Sequence, residues 1–265
     1  MSSAVAVLII VVAFMALLLR ELSRYWRRWF RGVLAAQLAA WRRGDYEGQL
    51  REVERLKAWK PEGYLSLRGG GGLFELGRLA EAEACLRQSL PMPKDPRARA
   101  VNESELGQVL LEQQRYGEAI AAFERSIAGW PQRGGGHRGI AQTLLRQGVQ
   151  PAEALRQARQ AADLDEANTT LGAENRDLNV SESLATLAWA EAVNAGGPGK
   201  VEHWLEKAFP LCPETTVPTR AELHYLAGRA FAALGKTDES AREFEHAATL
   251  DPKGNYGRLA KAAMP

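Results

Sequence analysis

The stretch Ala221–Pro252, AELHYLAGRAFAALGKTDESAREFEHAATLDP, decides how the rest of the chain is read. Ala227 and Gly228 fall in a first helix, with Phe231 three residues on. A turn follows at Gly235, then a second helix carrying Phe244 and Ala247, and the unit closes on Asp251-Pro252. Small residues belong where two helices of a pair approach most closely, and large ones fill the gap to the next pair. Gly235 relaxes the turn, and Pro252 stops the second helix because proline lacks an N–H and clashes with the preceding turn. One such pair cannot cover its own apolar face, so the pattern predicts neighbours stacked on it.

The neighbours lie upstream. Leu106-Gly107 and Leu110, followed by QRYGEAIAAFERSIAGWP, supply Tyr116, Ala119, Phe123 and Pro131 in the same order. Ala36 and Ala40 precede GDYEGQLREVERLKAWKP, with Gly44, Tyr46 and Pro61. Gly69-Gly70 and Leu73 precede LGRLAEAEACLRQSLPMP, with Gly77, Ala82, Leu86 and Pro93. Two further copies have lengthened turns: Gly139 and Leu144 with Ala154, Ala158 and Ala161, and Leu184-Ala185 and Ala188 with Leu205, Ala208 and Pro213. Six units thus tile Phe30 to Pro252, with Asn168–Asn179 as a polar loop between units and Tyr256–Ala263 as a capping helix. This order of small, aromatic and turn residues resembles the tetratricopeptide (TPR) repeat, a helix–turn–helix of about 34 residues. The resemblance implies an all-α fold, an α-solenoid of about six degenerate TPR helical hairpins over residues 33–265 with the capping helix at its end. A Sel1-like array of helical hairpins would share the same pattern.

The other end of the chain reads differently. Ala4–Leu19, AVAVLIIVVAFMALLL, contains no charged or polar side chain. A helix through Ser2, Ser3 and this run is ~27 Å long, close to the hydrocarbon thickness of a bilayer. A cleaved signal peptide would carry a basic residue before the run and a small-residue cleavage site after it, whereas MSS precedes this one and RELSRYWRRWFRG follows. Arg20, Arg24, Arg27, Arg28 and Arg31 flank it with Glu21 alone opposing them, and Tyr25, Trp26 and Trp29 lie among them. Under the positive-inside rule, with aromatic rings at the interface, these residues form a membrane collar that places the C-terminal body in the cytoplasm. The expectation is a transmembrane signal-anchor helix over residues 1–22, a basic-aromatic juxtamembrane segment over 23–32, and a single-pass protein with the lipid bilayer as a partner. Arginine-rich, alanine- and glycine-rich usage points to a GC-rich genome and so to a bacterial inner membrane. Leu22–Arg43 is helix-friendly throughout, so the anchor is expected to run into the first repeat with little or no linker.

Nothing in the remaining sequence proposes an active site. A net charge of +2 gives no case for nucleic acid, and Cys85 and Cys212 alone build neither a disulfide scaffold nor a zinc ribbon. Gly196-Gly197-Pro198-Gly199-Lys200-Val201 looks like a phosphate loop, but Asn194 and Val201 break the required pattern. His137, His203, His224 and His246 are scattered and form no recognisable metal pair. The glycine runs Gly69–Gly72 and Gly134–Gly136 are read as weakened, locally mobile helix rather than as a partner's contact point. No cofactor, metal or catalytic residue is therefore expected.

The TPR resemblance implies instead a concave groove lined by the first helices, which receives a peptide or helix of another protein. Carried over by repeat position, that groove takes Tyr64, Leu67 and Phe74 from the second unit, Ser104, Gln108 and Leu111 from the third, and Arg133, Ile140 and Thr143 from the fourth. Asn179, Glu182, Thr186 and Trp189 follow from the fifth, and Tyr225 and Arg229 from the sixth. Chaperone-binding members of the family hold a carboxylate with lysines and asparagines at these places. Ser104, Gln108, Gly136 and Ile140 depart from that pattern. The expected role is a membrane-anchored scaffold or adaptor for other proteins, without catalysis. The alternatives are a protein-targeting or assembly receptor of an organelle outer membrane, or a regulatory subunit of a membrane complex. A deep polar pocket with strongly perturbed titratable groups would point to an enzyme.

Overall fold

The computed structural model describes the backbone of residues 3–264, and side chains from Phe14 to Met264 except Ala16. Helices pair in chain order. α1 (Ser3–Arg42) pairs with α2 (Tyr46–Glu54), and α3 (Pro61–Leu67), prolonged by a π-helical turn over Arg68–Leu73, pairs with α4 (Leu79–Ser89). α5 (Pro96–Glu112) and α6 (Tyr116–Gly129) follow, then α7 (Gly135–Gln147) and α8 (Pro151–Ala167), and α9 (Ala173–Val193) and α10 (Pro198–Ala208). α11 (Val217–Ala233) and α12 (Thr237–Leu250) form the last hairpin, and α13 (Asn255–Ala263) caps the array. The repeat solenoid read from the sequence is the observed architecture. The expected loop Asn168–Asn179 is shorter than its polar composition implied, because α9 already begins at Ala173.

The hairpin turns have a common device. Gly44, Gly77, Gly148 and Gly235 all adopt φ between +67° and +72°, the left-handed region that glycine enters without a Cβ penalty. Gln114 and Ala195 take the same role in the α5–α6 and α9–α10 turns at φ of 60° and 57°. Prolines Pro61, Pro96, Pro151 and Pro198 open helices, where the missing N–H is an unsatisfied donor in any case.

Small residues then set how closely the helices stack. A Cβ on Gly107 of α5 would lie 2.5 Å from Phe123 Cε1, and one on Gly139 of α7 would come closer still to the same ring. Phe123 is fully buried, held between the backbones of two successive first helices. Gly228 repeats the arrangement against Phe244, at 2.6 Å. The glycine run Gly69–Gly72 has a related cause. A Cβ on Gly69 would meet Leu86 Cγ at 2.7 Å, and one on Gly72 would meet Leu50 Cγ at 2.6 Å. The run is where α2 and α4 both press on one backbone, wound as a π-turn with Gly71 at φ −103°, ψ −108°. Buried Gln49 supports it, donating to Leu67 O at 3.2 Å and accepting the Gly72 N–H at 3.0 Å.

The array closes on itself. Tyr46 of α2 donates its hydroxyl to Asp251 Oδ2 beyond the end of α12. Asn255 of α13 bonds through its backbone N–H to Glu75 Oε2 (3.0 Å) and through its side chain to Glu112 Oε1 (3.1 Å), and Arg258 reaches the Glu75 carbonyl. The capping helix thus covers the sixth hairpin and also locks against the second and third.

Two expectations about the N-terminus need correction. α1 is one unbroken 40-residue helix that runs from Ser3 into the first hairpin. Among the described residues no helix is long and apolar enough to cross a membrane, which overturns the expected single-pass membrane protein with a cytoplasmic body. The physical reason is charge: every 18-residue window within the described part of α1 contains Arg27, Arg28 and Arg31. Met1–Ala13 and Ala16, which carry most of the apolar run, lie outside the described side chains. The expected lipid-facing collar is also used within the protein. Trp26 packs on Trp59 at 4.2 Å between centroids, Trp29 packs on Trp26 at 5.6 Å, and the Arg55 guanidinium lies over the Trp29 ring. Arg24 pairs with Glu21, Arg31 Nε donates to the Arg27 carbonyl, and Tyr25 stays exposed. Neither Arg20 nor Arg28 has a side-chain hydrogen bond or ion pair among the described residues.

Candidate functional site

Closure turns the concave face of the solenoid into a chamber of about 400 Å³. Every first helix contributes to its wall: Trp41 and Arg42 from α1, Gly70 from the π-turn, Glu105 and Gln108 from α5, Arg138 from α7, Asn179 and Glu182 from α9, and Thr219 and Glu222 from α11. Trp130 and Arg133, between α6 and α7, project into it, and Tyr256 of α13 closes the far side. Arg42 pairs with exposed Glu174 at the rim.

The chamber is rich in buried ionisable groups. Arg138 Nη2 pairs with Glu182 Oε2 at 2.5 Å and lies 3.8 Å from Asp165 Oδ2. Burial works against its charge, but Glu182, Glu222 and Asp165 together hold its proton above the ordinary arginine range. Arg133 has no ion pair among the described residues, and burial together with the neighbouring Arg138 charge weakens its hold on its proton. Three carboxyls respond in the opposite sense. Burial pushes Glu75 up to about 8, the Asn255 N–H only partly offsetting it. Burial likewise raises Glu105 to about 7 against the pull of Arg133, and raises Glu222 to about 7 with help from the Glu182 charge.

Among the described residues, seven buried side-chain nitrogen or oxygen atoms lack a hydrogen-bond partner. Five of them belong to residues lining this one chamber: Arg42 Nε, Gln108 Oε1, Trp130 Nε1, Arg133 Nη1 and Arg138 Nε. Unpartnered buried polar atoms are rare in folded proteins because each forfeits its hydration. Four of these five can only donate. The chamber therefore presents a surplus of unused donors, and an acceptor-rich group is the chemistry that would satisfy it.

Of the residues expected in the groove, Phe74, Gln108, Arg133, Asn179 and Glu182 meet around this chamber. Leu67 lines a smaller adjoining cavity shared with Trp41, Gly70 and Glu105. The others lie away from the chamber. Ser104, Leu111, Ile140, Thr143, Thr186 and Trp189 are buried, and Tyr64 sits in the small N-terminal core with Val33, Val53 and Leu56. Tyr225 is buried between Phe244 and Tyr256, and Arg229 lies over the Trp189 ring at 4.6 Å while donating to the Tyr225 hydroxyl. None of these positions lines the chamber. Sequence reasoning missed Trp41, Arg42, Glu75, Glu105, Trp130, Arg138, Glu222 and Tyr256. A charged residue recurring on the first helices, as at Glu105, Arg138 and Glu222, was the available signal.

A second cluster lies on the last hairpin. His224 of α11 bonds through Nδ1 to Glu243 Oε2 of α12 at 2.7 Å, and its ring lies 5.2 Å from that of His246. The histidines that look scattered in sequence are therefore adjacent in this pair.

The tetratricopeptide repeat family model matches residues 105–128 and 221–253, the third and sixth hairpins. No curated protein matches the chain. A thermophilic TPR protein from Thermus thermophilus has a similar structure, with 19% identity over 76% of this chain and 97% of that one and a TM-score of 0.52. A tetratricopeptide repeat protein from Parabacteroides merdae aligns over 88% of this chain and 96% of its own at 12% identity, TM-score 0.42. YrrB, described as a TPR protein with an unusual peptide-binding site, aligns over 79% and 97% at 17% identity, TM-score 0.40.

Proposed function

We propose that this chain of TPR repeats is a non-catalytic protein-interaction module that holds a carboxylate-bearing segment of a partner protein in its central chamber. The observation that carries the reading is the convergence of Arg42, Trp130, Arg133 and Arg138 donors, unused by the protein itself, on one cavity. A carboxylate accepts from several such donors at once, and charge-assisted bonds from guanidinium groups are the strong ones. Trp41, Phe74 and Tyr256 add apolar surface for the segment's carbon atoms. TPR arrays bind peptides along the same concave face, and here Tyr256 of α13 covers part of that face. The module would serve a scaffold, an adaptor or a regulatory subunit equally. Carboxyls that titrate near neutrality also suit general acid–base chemistry. We read Glu75, Glu105 and Glu222 as part of the binding wall because their shifts are accounted for by burial and by the neighbouring Asp251, Glu182 and Glu222 charges.

Fluorescence anisotropy tests this with the full chain and a peptide library synthesised with free and with amidated C-termini, half of it also lacking Asp and Glu. Peptides bearing a carboxylate should bind, and Arg133→Gln should weaken them at least tenfold while Arg156→Gln, on the outer face of α8, leaves them unchanged. Selected peptides that bind equally well to Arg133→Gln, or that carry no carboxylate at all, would exclude the chamber.

A further inference from the structure

We infer that the last hairpin carries a divalent transition-metal site formed by His224, Glu243 and His246. One donor atom from each of the three lies within 4.8 Å of the other two. Two imidazoles with one carboxylate is a donor set suited to Zn²⁺, which takes nitrogen ligands at about 2.0–2.1 Å in tetrahedral geometry. Donors around such an ion stand roughly 3.3 Å apart by that geometry, so only the side chains need to draw in. His246 is exposed and free to turn, and His224 and Glu243 are already in contact at 2.7 Å.

The scaffold supports the assignment. Glu243 and His246 are three apart on α12 and so share one helix face. His224 comes from the facing helix, one turn before Gly228, and the Gly228–Phe244 contact fixes how closely the two helices approach. Phe209 also packs against the His224 ring, at 4.8 Å between centroids. The three donors therefore project from rigid, mutually locked helices, the arrangement a metal site needs. Three protein ligands leave a fourth tetrahedral position for water or for a ligand atom from elsewhere. Magnesium and calcium prefer all-oxygen shells, so the site should discriminate against them. The site lies on the last hairpin and is independent of the chamber.

Isothermal titration of the chelator-treated full chain with ZnCl₂ tests the proposal against a His224–Glu243 hydrogen bond with no metal role. The expected result is saturable uptake near one equivalent, at least tenfold weaker in His246→Ala, retained in His203→Ala, and absent when MgCl₂ replaces ZnCl₂. His246 is exposed, so its truncation should leave the fold intact, checked by circular dichroism. Absence of saturable uptake, equal uptake by His246→Ala, or equal loss in His203→Ala would each overturn the site.

Discussion

Asn255 donates its backbone N–H to Glu75 Oε2 at 3.0 Å across 180 residues of chain. A stack of hairpins in which each contacts only its neighbours would never bring these two together. Their contact ties the capping helix to the second hairpin, and their neighbours there, Tyr256 and Phe74, both line the chamber. The same closure contains the buried Tyr46–Asp251 pair, 205 residues apart.

Tyr46→Phe should destabilise the protein by about 1–3 kcal/mol, since Asp251 is buried and its Oδ2 would lose the hydroxyl it accepts from, leaving only the Gly254 N–H on Oδ1. The urea midpoint measures this. Small-angle scattering should show a larger radius for the variant at sub-denaturing urea, as the ends separate before the stack melts. An unchanged midpoint would mean that the closing contact adds nothing to stability.

Gly139→Ala should cost about 1–3 kcal/mol, because its Cβ would overlap the Phe123 ring that Gly107 already confines from the other side. Gly32→Ala should act in the opposite direction. That glycine lies inside α1, and a methyl group added there would meet nothing within 4 Å, so the helix gains about 0.5–1 kcal/mol. Thermal melts of the two variants should move to opposite sides of the wild type.

Gln49→Ala should loosen the π-turn. Its side chain satisfies the Gly72 N–H and the Leu67 carbonyl, and removing it leaves both without that partner, at a cost of about 1–3 kcal/mol. Amide exchange resolved to Gly70–Leu73 should accelerate more than exchange in α5. Uniform acceleration along the chain would argue against a local role.

The chamber carboxyls predict a pH dependence of stability. Glu75, Glu105 and Glu222 are raised from an ordinary 4.5 to about 8, 7 and 7. Their native forms keep protons that the unfolded chain has released, so stability falls with rising pH over that interval. Their contribution is fully present below about 4.5 and is lost as pH passes through 7 to 8. Melting temperature should therefore decline from pH 5.5 to 8.5, and Glu105→Gln should flatten the slope. A profile that rises over this range would contradict the burial of these groups.

The sequence by itself determined the hairpins. Turn glycines, unit-closing prolines and the Gly107–Phe123 and Gly228–Phe244 pairs of small and aromatic residues are local signals, and they recur because every unit solves the same packing problem; that Pro61 opens α3 came from the structure. Tertiary structure decided the rest. How far each pair rotates on the next is set by many small contacts between successive pairs, such as Gly72 on Leu50 and Gly139 on Phe123, which accumulate over six hairpins. That sum is not visible in any one repeat. It turned Trp189, Thr186 and Leu111 from groove positions into core, gathered Arg133, Arg138, Glu105 and Glu222 around one chamber, and brought Trp26 onto Trp59. Periodicity specifies which face of a helix is buried; the accumulated superhelical angle specifies what that face meets.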